Sequence, residues 1–208
     1  MDGKRERAVE LFPSVLLSVL GVIQALAFEL LWEEGLPGLA RWRAIGAPAT
    51  GMLQLAAVFE GGIVMWALYA SLVLRLRWIP SVRDLAVPFV LGALQFTLVE
   101  CMAPERLPGW FLVLAALFVS ATLTNYAAYA AAARLEPPGG VPRSGQTLRS
   151  YAPSAAIVAV LLAFAALSRG SGPASTLVAV AMLATNAGML IQLLVIRHYW
   201  RRDLQLGG

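Results

Sequence analysis

The sequence predicts an all-α, polytopic membrane protein with six transmembrane helices, because long apolar runs fill most of the chain and arginines gather at their ends. Hydrophobic residues make up 59% of the 208 residues and charged residues only 13%. A soluble domain carries about a quarter charged residues, since its surface must be hydrated. We therefore expect lipid, and not water, to surround most of this chain.

Six segments are long enough to be spans, since about 20 helical residues cross about 30 Å of hydrocarbon. The first follows Lys4, Arg5 and Arg7, as the apolar core of a secretion signal would. Its apolar stretch is too long for a signal and no small-residue cleavage site follows, so we interpret it as an uncleaved span. The predicted spans of this single transmembrane domain are 11–32, 50–74, 85–103, 109–133, 151–168 and 173–196.

The basic residues at the span ends divide into two unequal sides, twelve against four. Positive residues accumulate in cytoplasmic loops, so the sequence predicts that both termini are cytoplasmic. The abundance of arginine and alanine is typical of GC-rich bacteria, which points to the bacterial inner membrane. The cytoplasmic side comprises Lys4, Arg5, Arg7, Arg75, Arg77, Arg83, Arg134, Arg143, Arg149, Arg197, Arg201 and Arg202, and the outer side Arg41, Arg43, Arg106 and Arg169.

Connection lengths group the spans into three helical hairpins, spans one and two, three and four, and five and six. The outer connections are short, and the longest inner stretch, 134–150, contains Pro137-Pro138-Gly139-Gly140. Proline and glycine at this density favour a loop, so we expect a flexible cytoplasmic linker there.

The first two predicted hairpins resemble one another, with matching residues offset by 71 positions. Either a duplication or convergence at helix ends and turns explains the match, and internal repeats are frequent in transporters. The matching residues are Gln24, Glu29, Glu34 and Leu36-Pro37-Gly38 in the first, and Gln95, Glu100, Glu105 and Leu107-Pro108-Gly109 in the second.

Glu60 is the acidic residue expected to lie deepest, because it falls about ten residues, or roughly 15 Å, inside the second span. A carboxylate at the bilayer centre costs about 2.5–3.5 kcal/mol on insertion scales, so such a residue usually has a function or a partner. Gly61 and Gly62 follow it and favour the close approach of a neighbouring helix. We assign Glu60 to a solute or ion pathway, with a buried structural carboxyl as the alternative.

Four amides and two further carboxylates complete the predicted pathway. Gln24, Gln95 and Asn186 are expected near the midplane, with Asn125 closer to the cytoplasm. Each amide on its own is explained by a hydrogen bond between helices, whereas the set favours a polar cavity. Glu29 and Glu100 lie near the outer ends of their spans, where they either reach the headgroups or attract cations to a pathway entrance.

Nothing in the sequence predicts a catalytic, metal or cofactor site. His198 is the only histidine and Cys101 the only cysteine, and no glycine-rich phosphate loop is present. Nucleic acid is not an expected partner, because the basic residues lie at span ends. We expect the lipid bilayer, a small solute or ion, and other membrane subunits or further copies of the chain as partners.

Three functions fit these observations. The leading hypothesis is movement of a small solute or ion through a polar cavity, coupled to protons through Glu60. The second is a non-catalytic subunit of a larger membrane complex. The third is a lipid-modifying enzyme that uses Glu29, Glu60 and Glu100 as acid and base.

Overall fold

A computed structural model of the chain describes residues 3–76, 78, 81–134 and 151–203. Within these residues the chain is helical, and six helices are long and apolar enough to cross a membrane. The all-α fold with six such helices is therefore confirmed. The helices are α1 (Gly3–Ala44), α2 (Pro48–Arg75), α3 (Val82–Glu100), α4 (Leu107–Ala132), α5 (Ala152–Gly170) and α6 (Thr176–Asp203), with a 3-10 turn at Pro104–Arg106 between α3 and α4.

Local sequence explains several helix boundaries. The backbone N–H and the hydroxyl of Ser81 both donate to a carboxylate oxygen of Asp84 at 2.7 Å, which caps the start of α3. Pro48 occupies the first turn of α2, where the missing N–H of proline has no helical partner to lose. Pro104 disfavours helical geometry in the residue before it, which accounts for the end of α3 before Ala103.

Helix α1 is longer than predicted. The first span was expected to end at Trp32, but α1 continues for twelve more residues, through Pro37, to Ala44. Its 42 residues correspond to about 63 Å, twice the hydrocarbon thickness. The expected outer connection between the first two spans is thereby reduced to the three residues 45–47.

Packing contacts hold this extension of α1 in place. Trp42 is fully buried, and its indole N–H donates to the side-chain oxygen of Gln54 on α2 at 2.8 Å. Gly51 of α2 packs directly against Trp42, and Gly38 of α1 lies against the backbone carbonyl of Met102. We call this arrangement the outer cap, after the side of the membrane that the sequence predicts for it, and define it by Gly38, Trp42, Gly51, Gln54 and Met102.

The six helices form an arc in the order α6, α2, α1, α3, α4, α5. Helix α1 packs against both α2 and α3, α4 packs against α3 and α5, and α6 packs mainly against α2. Helices α5 and α6 contact each other only narrowly, although they are consecutive in the chain. These contacts do not establish three separate hairpins, because α5 and α6 each contact another helix more extensively.

The outer surface of the bundle is apolar along most of its length. Leu26 of α1, Phe89 of α3 and Leu183 of α6 are among the large hydrophobic side chains that remain exposed, and α5 buries the smallest share of its residues. A soluble monomer rarely exposes contiguous apolar surface of this extent. Lipid as the surrounding solvent explains it. The predicted linker, apart from Arg134, lies outside the described residues.

Candidate functional site

Gln24 and Gln95 form a buried hydrogen bond between α1 and α3. The amide nitrogen of Gln24 donates to the side-chain oxygen of Gln95 at 2.8 Å. The space beside the pair measures about 10 Å³, which is at the lower limit for a single water. Gly62 of α2 closes one side, because a Cβ there would lie 3.1 Å from the Gln24 oxygen. The pair joins helices and does not line a water-filled path.

Asn186 connects α6 to α2. Its amide nitrogen donates to the backbone carbonyl of Leu53 on α2 at 3.0 Å and to the carbonyl of Met182 one turn earlier at 2.8 Å. An amide that bridges two backbones in this way stabilises a helix contact. Asn186 is thus separate from the pair formed by Gln24 and Gln95.

The three carboxylates of the predicted pathway differ in their surroundings. Glu29 and Glu100 are exposed, and Glu100 is the last residue of α3. Glu60 lies near the middle of α2 and is half-buried, with one carboxylate oxygen that is enclosed and accepts no hydrogen bond from the described residues. None of the three lines the cavities described below, so the arrangement gives no support to acid and base catalysis by the trio.

A cavity of about 90 Å³ lies between α2, α4, α5 and α6. At roughly 30 Å³ per molecule it has room for about three waters. We call it the central cavity. Its walls on α2 and α6 are mainly apolar, including Gly61, Met65 and Met189, and every side chain of the described residues that lines it is uncharged.

One wall of the central cavity is polar. It lies towards the end of the bundle where α4 finishes and α5 begins, and the ring of Tyr126 on α4 packs edge-on against Tyr151 at 5.9 Å between centroids. The side-chain oxygen of Asn125 is buried and receives no hydrogen bond from the described residues. A buried acceptor of this kind normally has a partner, so Asn125 can receive a donor from a bound molecule. The polar residues of this wall are Thr122, Asn125, Tyr151, Ser154 and Gln192.

Of the seven residues predicted for the pathway, only Asn125 lines the central cavity. The other polar residues of its wall were missed. A usable signal existed, because Thr122 and Asn125 on α4 are three residues apart and share a helix face, and Tyr151 and Ser154 have the same spacing at the start of α5.

An apolar crevice adjoins the central cavity where α5 and α6 diverge. It measures about 200 Å³ and shares Phe118 and Met189 with the central cavity. Its other walls include Ile157 and Phe164 of α5 and Gly188 of α6. We call it the α5/α6 crevice.

Among the described residues, no group of three histidine, cysteine or acidic side chains could hold a metal ion. The described side chains that line the central cavity offer neutral hydrogen-bonding groups. In comparisons with protein-family models, curated proteins and solved structures, no match to the chain was found.

Proposed function

We propose that this protein moves a small, uncharged solute across the membrane by way of the central cavity. The observation that carries the proposal is the polar wall around Asn125, which presents an acceptor without a partner among the described residues to a cavity whose other walls are mainly apolar. Selectivity in such a path comes from its diameter and its hydrogen-bonding groups. The small volume and the uncharged lining favour a small neutral molecule over an ion.

Orientation follows from the twelve basic residues on one side and four on the other. We propose that the protein lies in the bacterial inner membrane with both termini in the cytoplasm, and that its six helices are arranged as three hairpins. The polar wall then faces the cytoplasmic half of the bilayer. A C-terminal tag that reacts from the periplasm in intact cells would contradict this orientation.

Replacement of Asn125 tests the proposal, with glycerol as the probe. Vesicles of phosphatidylcholine that contain the wild-type protein are expected to swell faster in glycerol than empty vesicles. Asn125→Leu removes the acceptor and fills the cavity, so the protein-dependent rate should fall severalfold. The matched control is Thr97→Val, since Thr97 is exposed and its hydroxyl bonds only to the carbonyl of Ala93 in its own helix. Wild-type vesicles that swell no faster than empty ones overturn the proposal.

Proton coupling through Glu60 is the second part of the proposal. One oxygen of Glu60 is enclosed, and the next residue, Gly61, lines the central cavity. A carboxyl in the membrane interior that binds and releases a proton is a common relay in transporters.

Glu60→Gln keeps the size of the side chain but removes its titration. We expect this change to abolish protein-dependent proton uptake, measured with a pH-sensitive dye in vesicles under an imposed membrane potential. Glu29→Gln is the control, because Glu29 is exposed and should leave the uptake unchanged. Equal uptake by the wild type and Glu60→Gln removes Glu60 from the mechanism.

A non-transporting subunit of a larger complex is the second candidate function. The observation in its favour is α5, which packs mainly against α4 and leaves most of its surface uncovered by the described chain. Another membrane protein, or a second copy of this chain, could cover that surface. A partner that copurifies at fixed stoichiometry in mild detergent, together with absent glycerol flux, supports this reading.

A further inference from the structure

The central cavity and the α5/α6 crevice are neighbouring cavities, and we refer to the pair as the composite space, which is polar at one end and apolar along the rest. Phe118 and Met189 line both parts, so the two adjoin. The crevice, at about 200 Å³, is larger than the apolar cavity of about 150 Å³ that binds benzene in an engineered protein. Its size and its apolar walls suit a stretch of a hydrocarbon chain, with the rest of a long chain left in the bilayer.

We propose that this composite space binds a single-chain amphiphile from the bilayer whose head is uncharged and donates a hydrogen bond, the class of a monoacylglycerol or a long-chain alcohol. The head occupies the central cavity and the chain lies in the α5/α6 crevice. This inference rests on the proposed function, because it places the uncharged head of the ligand at the same polar wall that the small solute would pass.

The side chains that line the central cavity determine which head group can bind there. Among the described residues, every side chain that lines the central cavity is uncharged, and a buried charge without a partner is strongly unfavourable. The free oxygen of Asn125 is an acceptor, so its complement is a hydroxyl or an amide N–H. A phosphate or carboxylate head meets neither condition.

The packing of α5 and α6 determines the route by which the ligand reaches the crevice. Helices α5 and α6 contact each other narrowly, and α5 has the fewest buried residues of the six helices. The residues that line the crevice lie in the middle of α5 and α6, away from the helix ends, where the surface of the bundle is apolar. A molecule already dissolved in the bilayer can therefore enter sideways, with its chain still in an apolar surrounding.

Gly188 provides a selective way to block the crevice. A Cβ at Gly188 would meet no atom within 4 Å, so Gly188→Leu extends into open space in the crevice. Gly21 of α1 is also free of neighbours within 4 Å and lies away from both parts of the site. Gly21→Leu is therefore the matched control, because it makes the same substitution in a helix but leaves the α5/α6 crevice open.

The experiment uses a hexadecanol analogue with a photoreactive group in its chain and an alkyne for detection, added to protein in phosphatidylcholine vesicles. We expect labelling to map to α5 and α6 near Phe164 and Gly188. Gly188→Leu should reduce it roughly tenfold, whereas Gly21→Leu should leave it unchanged. Equal labelling of all three proteins, or labelling spread over α1 to α3, overturns the proposal.

Competition between the probe and unlabelled molecules shows which parts of the ligand are needed for binding. Monopalmitoylglycerol is expected to displace the probe, whereas palmitate, with its charged head, and glycerol, with no chain, should compete weakly. If palmitate displaces the probe as effectively as monopalmitoylglycerol does, the requirement for an uncharged head is wrong. If glycerol does so, the chain has no role in binding. Specific labelling without glycerol flux refutes only the transport function, and flux that persists without specific labelling refutes only this ligand class.

Discussion

Gly38→Val is expected to disrupt the outer cap and to lower the free energy of unfolding by about 3 kcal/mol or more. This is the upper end of the roughly 1–3 kcal/mol that is typical of overpacking. The site of a Cβ at Gly38 is already occupied by the backbone carbonyl of Met102, so a side chain there cannot be accommodated by a rotamer change. Either α1 or the connection between α3 and α4 must move. Thermal unfolding in detergent, followed by circular dichroism, measures the loss.

Gly109→Val is the matched control for this prediction. Gly109 occupies the same place in the second Leu-Pro-Gly sequence, 71 residues later, and a Cβ there would meet no atom within 4 Å. Both changes alter intrinsic helix propensity equally, since both replace a helical glycine by valine. Similar unfolding temperatures for the two variants would show that the close approach of Gly38 to Met102 does not hold the outer cap together.

Trp42→Ala is expected to have the second large effect. Trp42 is fully buried between α1 and α2, and its indole N–H bonds to the oxygen of Gln54. Loss of a buried tryptophan costs about 3–5 kcal/mol, and the variant also leaves the Gln54 oxygen without its donor. For a chain of this size the unfolding temperature should fall by roughly 6–20 °C.

Trp32→Ala provides the comparison, because Trp32 lies on the same helix and is 73% exposed. Its removal takes away lipid-facing surface but no internal contact, so we expect a shift of only a few degrees. Stability of Trp42→Ala equal to that of Trp32→Ala contradicts a packed extension of α1. It would indicate that the chain beyond Trp32 is not held against α2.

Composition was sufficient to predict the six helices, but not the length of the first. The apolar runs identify spans because only lipid can solvate them. The first span was expected to end at Trp32 because Glu33, Glu34 and Leu36-Pro37-Gly38 resemble a turn in sequence, whereas the helix continues to Ala44. Tertiary contacts at the outer cap override this local signal, since the helix continues where Gly38 and Trp42 pack.

Depth along a helix can be predicted from the sequence, whereas the direction in which a side chain points cannot. Gln24, Gln95 and Asn186 were expected to face one cavity, but the first two bond to each other and the third bonds to the backbone of α2. Each helix has several possible neighbours, and the sequence does not state which one it meets. Asn125 was predicted and does line the central cavity, while its polar neighbours on α5 and α6 were overlooked.

The similarity of the first two predicted hairpins has a structural counterpart at one point. Gln24 and Gln95, which are equivalent in the offset of 71 residues, are the two partners of the buried hydrogen bond. The similarity breaks down further along, because Leu36-Pro37-Gly38 lies inside α1 whereas Leu107-Pro108-Gly109 begins α4. Related sequences thus continue one helix and start another, depending on what packs against them.

The contact of α6 with α2 sets the order in which the chain can be assembled during synthesis. Helices α1 to α3 can associate as soon as they leave the ribosome, but the surface of α2 that receives Asn186 must wait for more than a hundred further residues. During that interval the backbone carbonyl of Leu53 lacks its final partner. Nascent chains arrested before α6 should therefore be preferred targets for membrane chaperones and quality-control proteases.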